Sequence, residues 1–199
     1  MIATGSPEDD GRNTEIIDVE DSNFSCIKVE TFPVKLYGAT GGLMNGQKPF
    51  ICGGCVGGEC DCDDNCGGTY SKDCYQLTET GSWVKDQTAK LYTARLYAGF
   101  GSVLMNNKLY LIGGYNGYEL RTIEMLSPNT IAQTHSVQLP TGFSAHCQVP
   151  WDSENILVIG GDNGSRREET YFINYKNNQL KSGPSLNTAR NIHVCGQLD

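Results

Sequence analysis

Six cysteines, Cys52, Cys55, Cys60, Cys62, Cys66 and Cys74, fall within 23 residues of this 199-residue chain, with Glu59, Asp61, Asp63 and Asp64 interleaved among them. Thiols at this density either pair as disulfides in an oxidising compartment or hold a metal as thiolates. The pattern favours a disulfide-pinned surface loop, because an irregular loop cannot build an apolar core and needs covalent staples instead. A zinc site of four thiolates, with Cys52-Gly-Gly-Cys55 as one limb, is the second reading. Its difficulty is the Cys60-x-Cys62 spacing, tighter than a usual zinc limb. Calcium held by the four carboxylates is the third, but the glutamate expected at the far end of such a loop is absent. An acidic, solvated loop accounts for the carboxylates more simply, and no metal or cofactor is expected.

The other chemistry-bearing residues are scattered. Cys26, Cys147 and Cys195 stand apart, and the last two read as buried free thiols packed as small apolar groups. Nine cysteines leave at least one without a partner in the chain. His135, His146 and His193 are the three imidazoles. No serine sits in a Gly-x-Ser-x-Gly elbow, and no Gly-rich loop opens a helix to cradle phosphate. Catalysis is therefore not expected. Asn23-Phe-Ser25 and Asn163-Gly-Ser165 are acceptor triplets for glycosylation.

The elements that must position these groups repeat. Three Gly-Gly pairs each follow a short, nearly continuous apolar run: Pro49 to Cys52 before Gly53-Gly54, Leu109 to Ile112 before Gly113-Gly114, and Ile156 to Ile159 before Gly160-Gly161. Such runs predict strands buried on both faces. Asn116-Gly117 and Asn163-Gly164 are turn dipeptides, followed by strand-like segments over 122–126 and 170–173. Lys35, Arg95 and Gly142 each precede the first glycine of their pair by 18 positions, and Arg190 follows Gly142 by 48. With an insertion of 11 residues removed from the first unit, the period is 49, then 47, then 48.

A unit of about 50 residues with four short strands and a double glycine after the second resembles the kelch repeat. Thr93-Ala94-Arg95 and Asn187-Thr188-Ala189-Arg190 are similar to that family's entry into the first strand. Trp83 stands where the family often places a tryptophan in the last strand, whereas Ala132 and Gln179 occupy about that position in the other two units. The resemblance implies an all-β, kelch-type β-propeller segment over 14–199 after a disordered acidic N-terminus at 1–13. Three complete four-stranded blades are expected near 35–86, 95–138 and 142–181, with partial blades at 14–30 and 190–199. The cysteine-rich insertion occupies 55–71, and a Cys52–Cys74 bridge between adjacent strands fits the alignment. Because blades bury their faces only against one another, the chain is expected to be a fragment of a larger ring, six or seven blades being favoured over a small closed one.

Function then follows from the resemblance and from elimination: a non-enzymatic module that binds a partner protein through loops on one rim. Those loops are 55–71, the turn 115–119 with Tyr115 and Tyr118, and the turn 162–167 with Arg166 and Arg167, residue types that dominate interface energetics. Two alternatives remain. One is an intracellular kelch substrate adaptor of a ubiquitin ligase. The other is a copper enzyme similar to galactose oxidase, for which His146 and His193, each three positions into a first strand, are candidate ligands; hydrogen-bonded packing residues are the simpler account of both. A formal charge of −8 argues against nucleic acid as partner, since phosphate binding rests on Lys and Arg. No run of about 18 apolar residues spans a membrane. The cysteine density favours an extracellular or secreted protein over a cytoplasmic one.

Overall fold

The computed structural model describes residues 2–4, 12–17, 26–44, 48–57, 67–99, 101 and 103–196. The fold is all-β and forms a partial β-propeller of complete and incomplete blades. Strands β1 (Ile2–Thr4), β2 (Thr14–Ile17) and β3 (Cys26–Lys28) make an antiparallel three-stranded sheet. Ile2 to Thr4, expected to lie in a disordered N-terminus, instead pair with Ile16 to Thr14 and add a third strand to this first sheet.

In the first complete blade, β4 (Leu36–Tyr37) leads into β5 (Thr40–Met44) and β6 (Lys48–Cys52). Then come β7 (Cys55–Val56), β8 (Thr69–Tyr70), β9 (Asp73–Leu77) and β10 (Trp83–Lys90). The blade is the sheet β5-β6-β9-β10, while β4, β7 and β8 form a small separate sheet at its edge. The second blade is β11 (Val103–Met105), β12 (Lys108–Ile112), β13 (Thr122–Leu126) and β14 (Gln133–Gln138). The third is β15 (Cys147–Pro150), β16 (Asn155–Ile159), β17 (Thr170–Asn174) and β18 (Gln179–Ser182).

Strand periodicity explains the core. Successive side chains point to opposite faces, so on β12 Leu109 and Leu111 pack with Phe50, Cys52, Leu91 and Ala98 on the first-blade side. Tyr110 and Ile112 pack with Ile156, Val158 and Tyr171 on the third-blade side. The apolar run of β12 is thus buried on both faces. On β16 the same reading holds for one face only: Ile156 and Val158 are buried, but Leu157 and Ile159 are half-buried. In the first blade Trp83 is buried with Phe32, Tyr75 and Leu77, and its Nε1–H donates to Thr14 Oγ1 at 3.1 Å, linking β10 to the first sheet. Trp83→Phe keeps the packing and removes this bond. It is expected to cost about 1 kcal/mol and to accelerate amide exchange at Thr14 and Glu15 selectively.

One backbone ladder joins the three complete blades and the segment that follows them. Gly38, Tyr97, Ala145 and Ile192 occupy the same place in successive repeats and share a left-handed backbone, with φ of 63°, 52°, 52° and 47°. Tyr97 N–H donates to Gly38 O at 2.8 Å, Ala145 N–H to Tyr97 O at 3.1 Å, and Ile192 N–H to Ala145 O at 2.8 Å. The second glycine of each pair donates to the residue two before the next rung: Gly54 to Arg95, Gly114 to Phe143 and Gly161 to Arg190. Leu36, Arg95, Phe143 and Arg190 are therefore equivalent, which corrects the register set by Lys35 and Gly142. Between Arg95 and Gly113 the count is 18, but from Leu36 to Gly53 and from Phe143 to Gly160 it is 17. The second blade carries one extra residue on its way into the glycine pair.

Two further expectations are corrected at the C-terminal end. Residues 190–196 begin the next repeat but form no strand among the described residues. Cys147 and Cys195 are not free thiols: they are disulfide-bonded. The Ile192 to Ala145 bond draws the later segment alongside the start of β15 and brings the two sulfurs into reach.

Candidate functional site

The turns after the Gly-Gly pairs share one construction. Tyr115 exchanges backbone hydrogen bonds with Leu96 (2.8 and 3.0 Å), and Asn116 N–H donates to Tyr118 O at 3.0 Å. In the third blade Asp162 exchanges bonds with Ser144 (2.8 and 3.0 Å), and Asn163 N–H donates to Ser165 O at 3.1 Å. Each turn is held to the incoming strand of its own blade, so its side chains sit on a rigid frame at one rim. In the first blade Cys55 takes the Tyr115 position, paired with Tyr37 of β4 on one side and Tyr70 of β8 on the other. The insertion broadens the turn into the small sheet β4-β7-β8.

This geometry gathers tyrosines. The Tyr70 and Tyr115 rings meet edge-on with centroids 6.0 Å apart, and Tyr37 and Tyr97 lie 6.3 Å apart. Tyr118, in the same turn as Tyr115, is 63% exposed. Tyr37, Tyr70, Tyr97 and Tyr115 are half-buried, each showing part of a ring. Sequence reasoning singled out Tyr115 and Tyr118 but missed Tyr37, Tyr70 and Tyr97, which are far apart in the chain. The available signal was positional: Tyr37 precedes the first Gly-Gly pair, Tyr97 precedes the second, and Tyr70 ends the insertion.

Arg166 and Arg167 lie in the equivalent turn of the third blade. Arg166 is exposed. Arg167 is tied down: its guanidinium forms an ion pair with Glu169, with Nε to Oε2 at 3.0 Å. Burial pushes the Glu169 carboxyl up, but its own backbone N–H, the Arg167 guanidinium and the Glu168 N–H outweigh that and hold it below its ordinary range. Asn163 Nδ2–H, the amide that a glycan would modify, donates to Thr141 Oγ1 at 2.7 Å. Asn23 lies outside the described residues, as do Glu59, Cys60, Asp61, Cys62, Asp63, Asp64 and Cys66. Cys52 and Cys74 face each other across β6 and β9 and are disulfide-bonded, and Cys55 is disulfide-bonded as well. Among the described residues no group of three or more His, Cys, Asp or Glu converges on a point that could hold a metal.

Beneath this rim lies a buried ion pair. Arg95, 1% exposed, pairs with Glu124 of β13. Its Nη1–H groups also donate to Gly113 O at 2.7 Å and Thr122 O at 3.1 Å. Glu124 in turn accepts from the backbone N–H groups of Tyr92 and Thr93 at 2.8 and 2.9 Å. Burial pulls the guanidinium below its ordinary value and Glu124 opposes that shift. With all five guanidinium protons and both carboxylate oxygens hydrogen-bonded within the fold, the pair is a structural brace beneath the tyrosines.

Comparison with known proteins agrees with the architecture. The Kelch motif family matches residues 96–130, the segment holding β11, β12 and β13. The spermatocyte protein spe-26 of Caenorhabditis elegans is 24% identical over 107 residues, 53% of this chain and 18% of that protein's own length. The chain thus spans under a fifth of that relative. Among solved structures, that of YjhT superposes with a TM-score of 0.71 at 14% identity, covering 90% of this chain and 61% of that one. A likeness at this identity speaks to the fold alone.

Proposed function

For a partial β-propeller built of kelch-type repeats, we propose a non-catalytic role: recognition of a partner protein by the rim that carries Tyr37, Tyr70, Tyr97, Tyr115 and Tyr118, flanked by Arg166. The observation that carries this reading is the convergence of these five tyrosines from two blades and the insertion. Tyrosine offers a large amphipathic contact surface at the cost of only two torsions, and it is enriched where binding energy concentrates. The charge of −8 makes nucleic acid a poor partner. Among the described residues no helix is long and apolar enough to cross a membrane. The Cys52–Cys74 and Cys147–Cys195 bonds support an oxidising, extracellular or secretory setting, where such bonds persist.

A displayed random-peptide library selected on the immobilised chain tests the rim. Selected peptides are expected to lose roughly tenfold or more in affinity, an increment of at least about 1.4 kcal/mol, on Tyr115→Ala or Tyr118→Ala. They should be indifferent to Lys108→Ala, in a shallow pocket between the second and third blades lined also by Asn106, Tyr110 and Tyr175. Tyr118 is largely exposed, so its removal should leave the melting temperature unchanged. Peptides that bind both tyrosine variants as tightly as the wild type would overturn the assignment.

A further inference from the structure

His146 and His193 stand at the same place in successive repeats, each one residue after a rung of the backbone ladder; the two earlier repeats have Ala39 and Ala98 there. Three independent constraints bring the two imidazoles together. Ile192 N–H donates to Ala145 O. Cys147, next to His146, is bonded to Cys195, two residues beyond His193. Both side chains are seated on the bare backbone of one glycine pair: a Cβ on Gly160 would lie 3.0 Å from His193 Cε1, and one on Gly161 would lie 3.0 Å from His146 Cβ.

Their hydrogen bonding is incomplete. Gln148 Nε2 donates to Gly101 O at 3.0 Å and Tyr110 O at 3.4 Å, so its amide is oriented with Oε1 toward His146. Oε1 is 3.4 Å from His146 Nε2 and can only accept, which places the ring proton on Nε2 and leaves Nδ1 as a bare lone pair. His146 is fully buried, and its Nδ1 has no partner; the ring of His193 has only a loose backbone contact at Asn191 and no well-formed hydrogen bond at either nitrogen. Buried polar atoms are satisfied in nearly all cases, so an orphaned Nδ1 on a fully buried ring, next to a second imidazole with no well-formed bond, points to a missing ligand.

We propose that His146 and His193 form a two-imidazole site for a borderline divalent cation such as Zn2+, clipping residues 190–196 onto the third blade. A ligating histidine whose other nitrogen is fixed by a second residue is the usual arrangement behind a metal, and Gln148 supplies that fixing here. Imidazole nitrogen suits zinc, copper and nickel better than magnesium or calcium. Phe143 shields the site, its ring edge-to-face with His146 at 5.1 Å. Since no third His, Cys, Asp or Glu joins them among the described residues, water or a partner's side chain completes the coordination sphere. The role is structural and involves no reaction.

The test uses the full chain, disulfides intact and stripped of metal, titrated with zinc chloride. Calorimetry should show one zinc per chain, and long-range 1H–15N spectra should show the ring nitrogens of His146 and His193 moving while those of His135 stay. His193→Ala, in a half-buried segment, should fold with an unchanged circular dichroism spectrum and bind zinc ~10–100-fold more weakly; His146→Gln serves as a second variant. An absence of saturable binding, or affinity unchanged in His193→Ala because the cysteine-rich loop is the site, overturns the proposal. So does a direct N–H to N bond between the two rings that zinc leaves undisturbed.

Discussion

Arg95→Ala alone is expected to destabilise the propeller by about 3–5 kcal/mol, because Glu124 would be left as an uncompensated charge with no route to water. The other blades show how the same position is filled without charge. Where the second blade has Arg95 and Glu124, the first has Leu36 with Tyr75 in one cluster and the third has Phe143 stacked on Tyr171 at 5.9 Å. A third residue changes with them. The N–H of Tyr92 needs the Glu124 carboxylate, and its equivalents are Pro33 and Pro140, which have no N–H to satisfy.

The single and combined variants should therefore diverge. Arg95→Phe with Glu124→Tyr removes both charges but takes the acceptor from the Tyr92 and Thr93 N–H groups, and is expected to remain below the wild type by about 1–3 kcal/mol. Adding Tyr92→Pro imports the whole apolar solution of the third blade, and the triple variant should return to within about 1 kcal/mol of the wild type or exceed it, as buried pairs replaced by packed apolar groups often do. Denaturant titration of all four proteins decides the matter. A triple variant no more stable than Arg95→Ala would show that the brace does more than fill space.

Much of the architecture could be read from local pattern. The second strands of the first two blades announce themselves because both their faces are buried, which forces a continuous apolar run, while β16 carries the same run with only one face fully buried; the glycine pair follows because a neighbouring backbone crosses there. The limits also have physical causes. The one extra residue between Arg95 and Gly113 shifted the alignment of Phe143 by one position, and that shift concealed the exchange of Arg95 and Glu124 for Phe143 and Tyr171. Cys147 and Cys195 looked independent because their bond depends on the backbone ladder, which periodicity does not reveal. The tyrosine rim was half legible: Tyr115 and Tyr118 share a turn, but Tyr37, Tyr70 and Tyr97 join them only when the blades stack. The site's chemistry is thus a property of packing between repeats, whereas the repeats themselves are a property of the chain.

Gly114→Ala is the second substitution expected to have a large effect. Gly114 has φ of 98°, a backbone conformation that costs an alanine about 1–3 kcal/mol on its own. Its N–H donates to Phe143 O at 3.0 Å, and a Cβ would lie 2.8 Å from Leu96 O and 3.3 Å from the Ala98 Cβ. The clash is with backbone, so relief requires the second blade to move away from its own incoming strand, disturbing both the Tyr115–Leu96 pairing and the ladder bond at Tyr97. Strain and displacement together should cost about 3 kcal/mol or more and lower the melting temperature by on the order of 10 °C. Gly117→Ala separates the two contributions: φ there is 79°, but nothing lies within 4 Å of the added carbon. That variant should lose only about 1–2 kcal/mol. If the two alanines proved equally mild, the glycine pair would be serving turn geometry alone, and the close approach of neighbouring backbones would not be what holds one blade to the next.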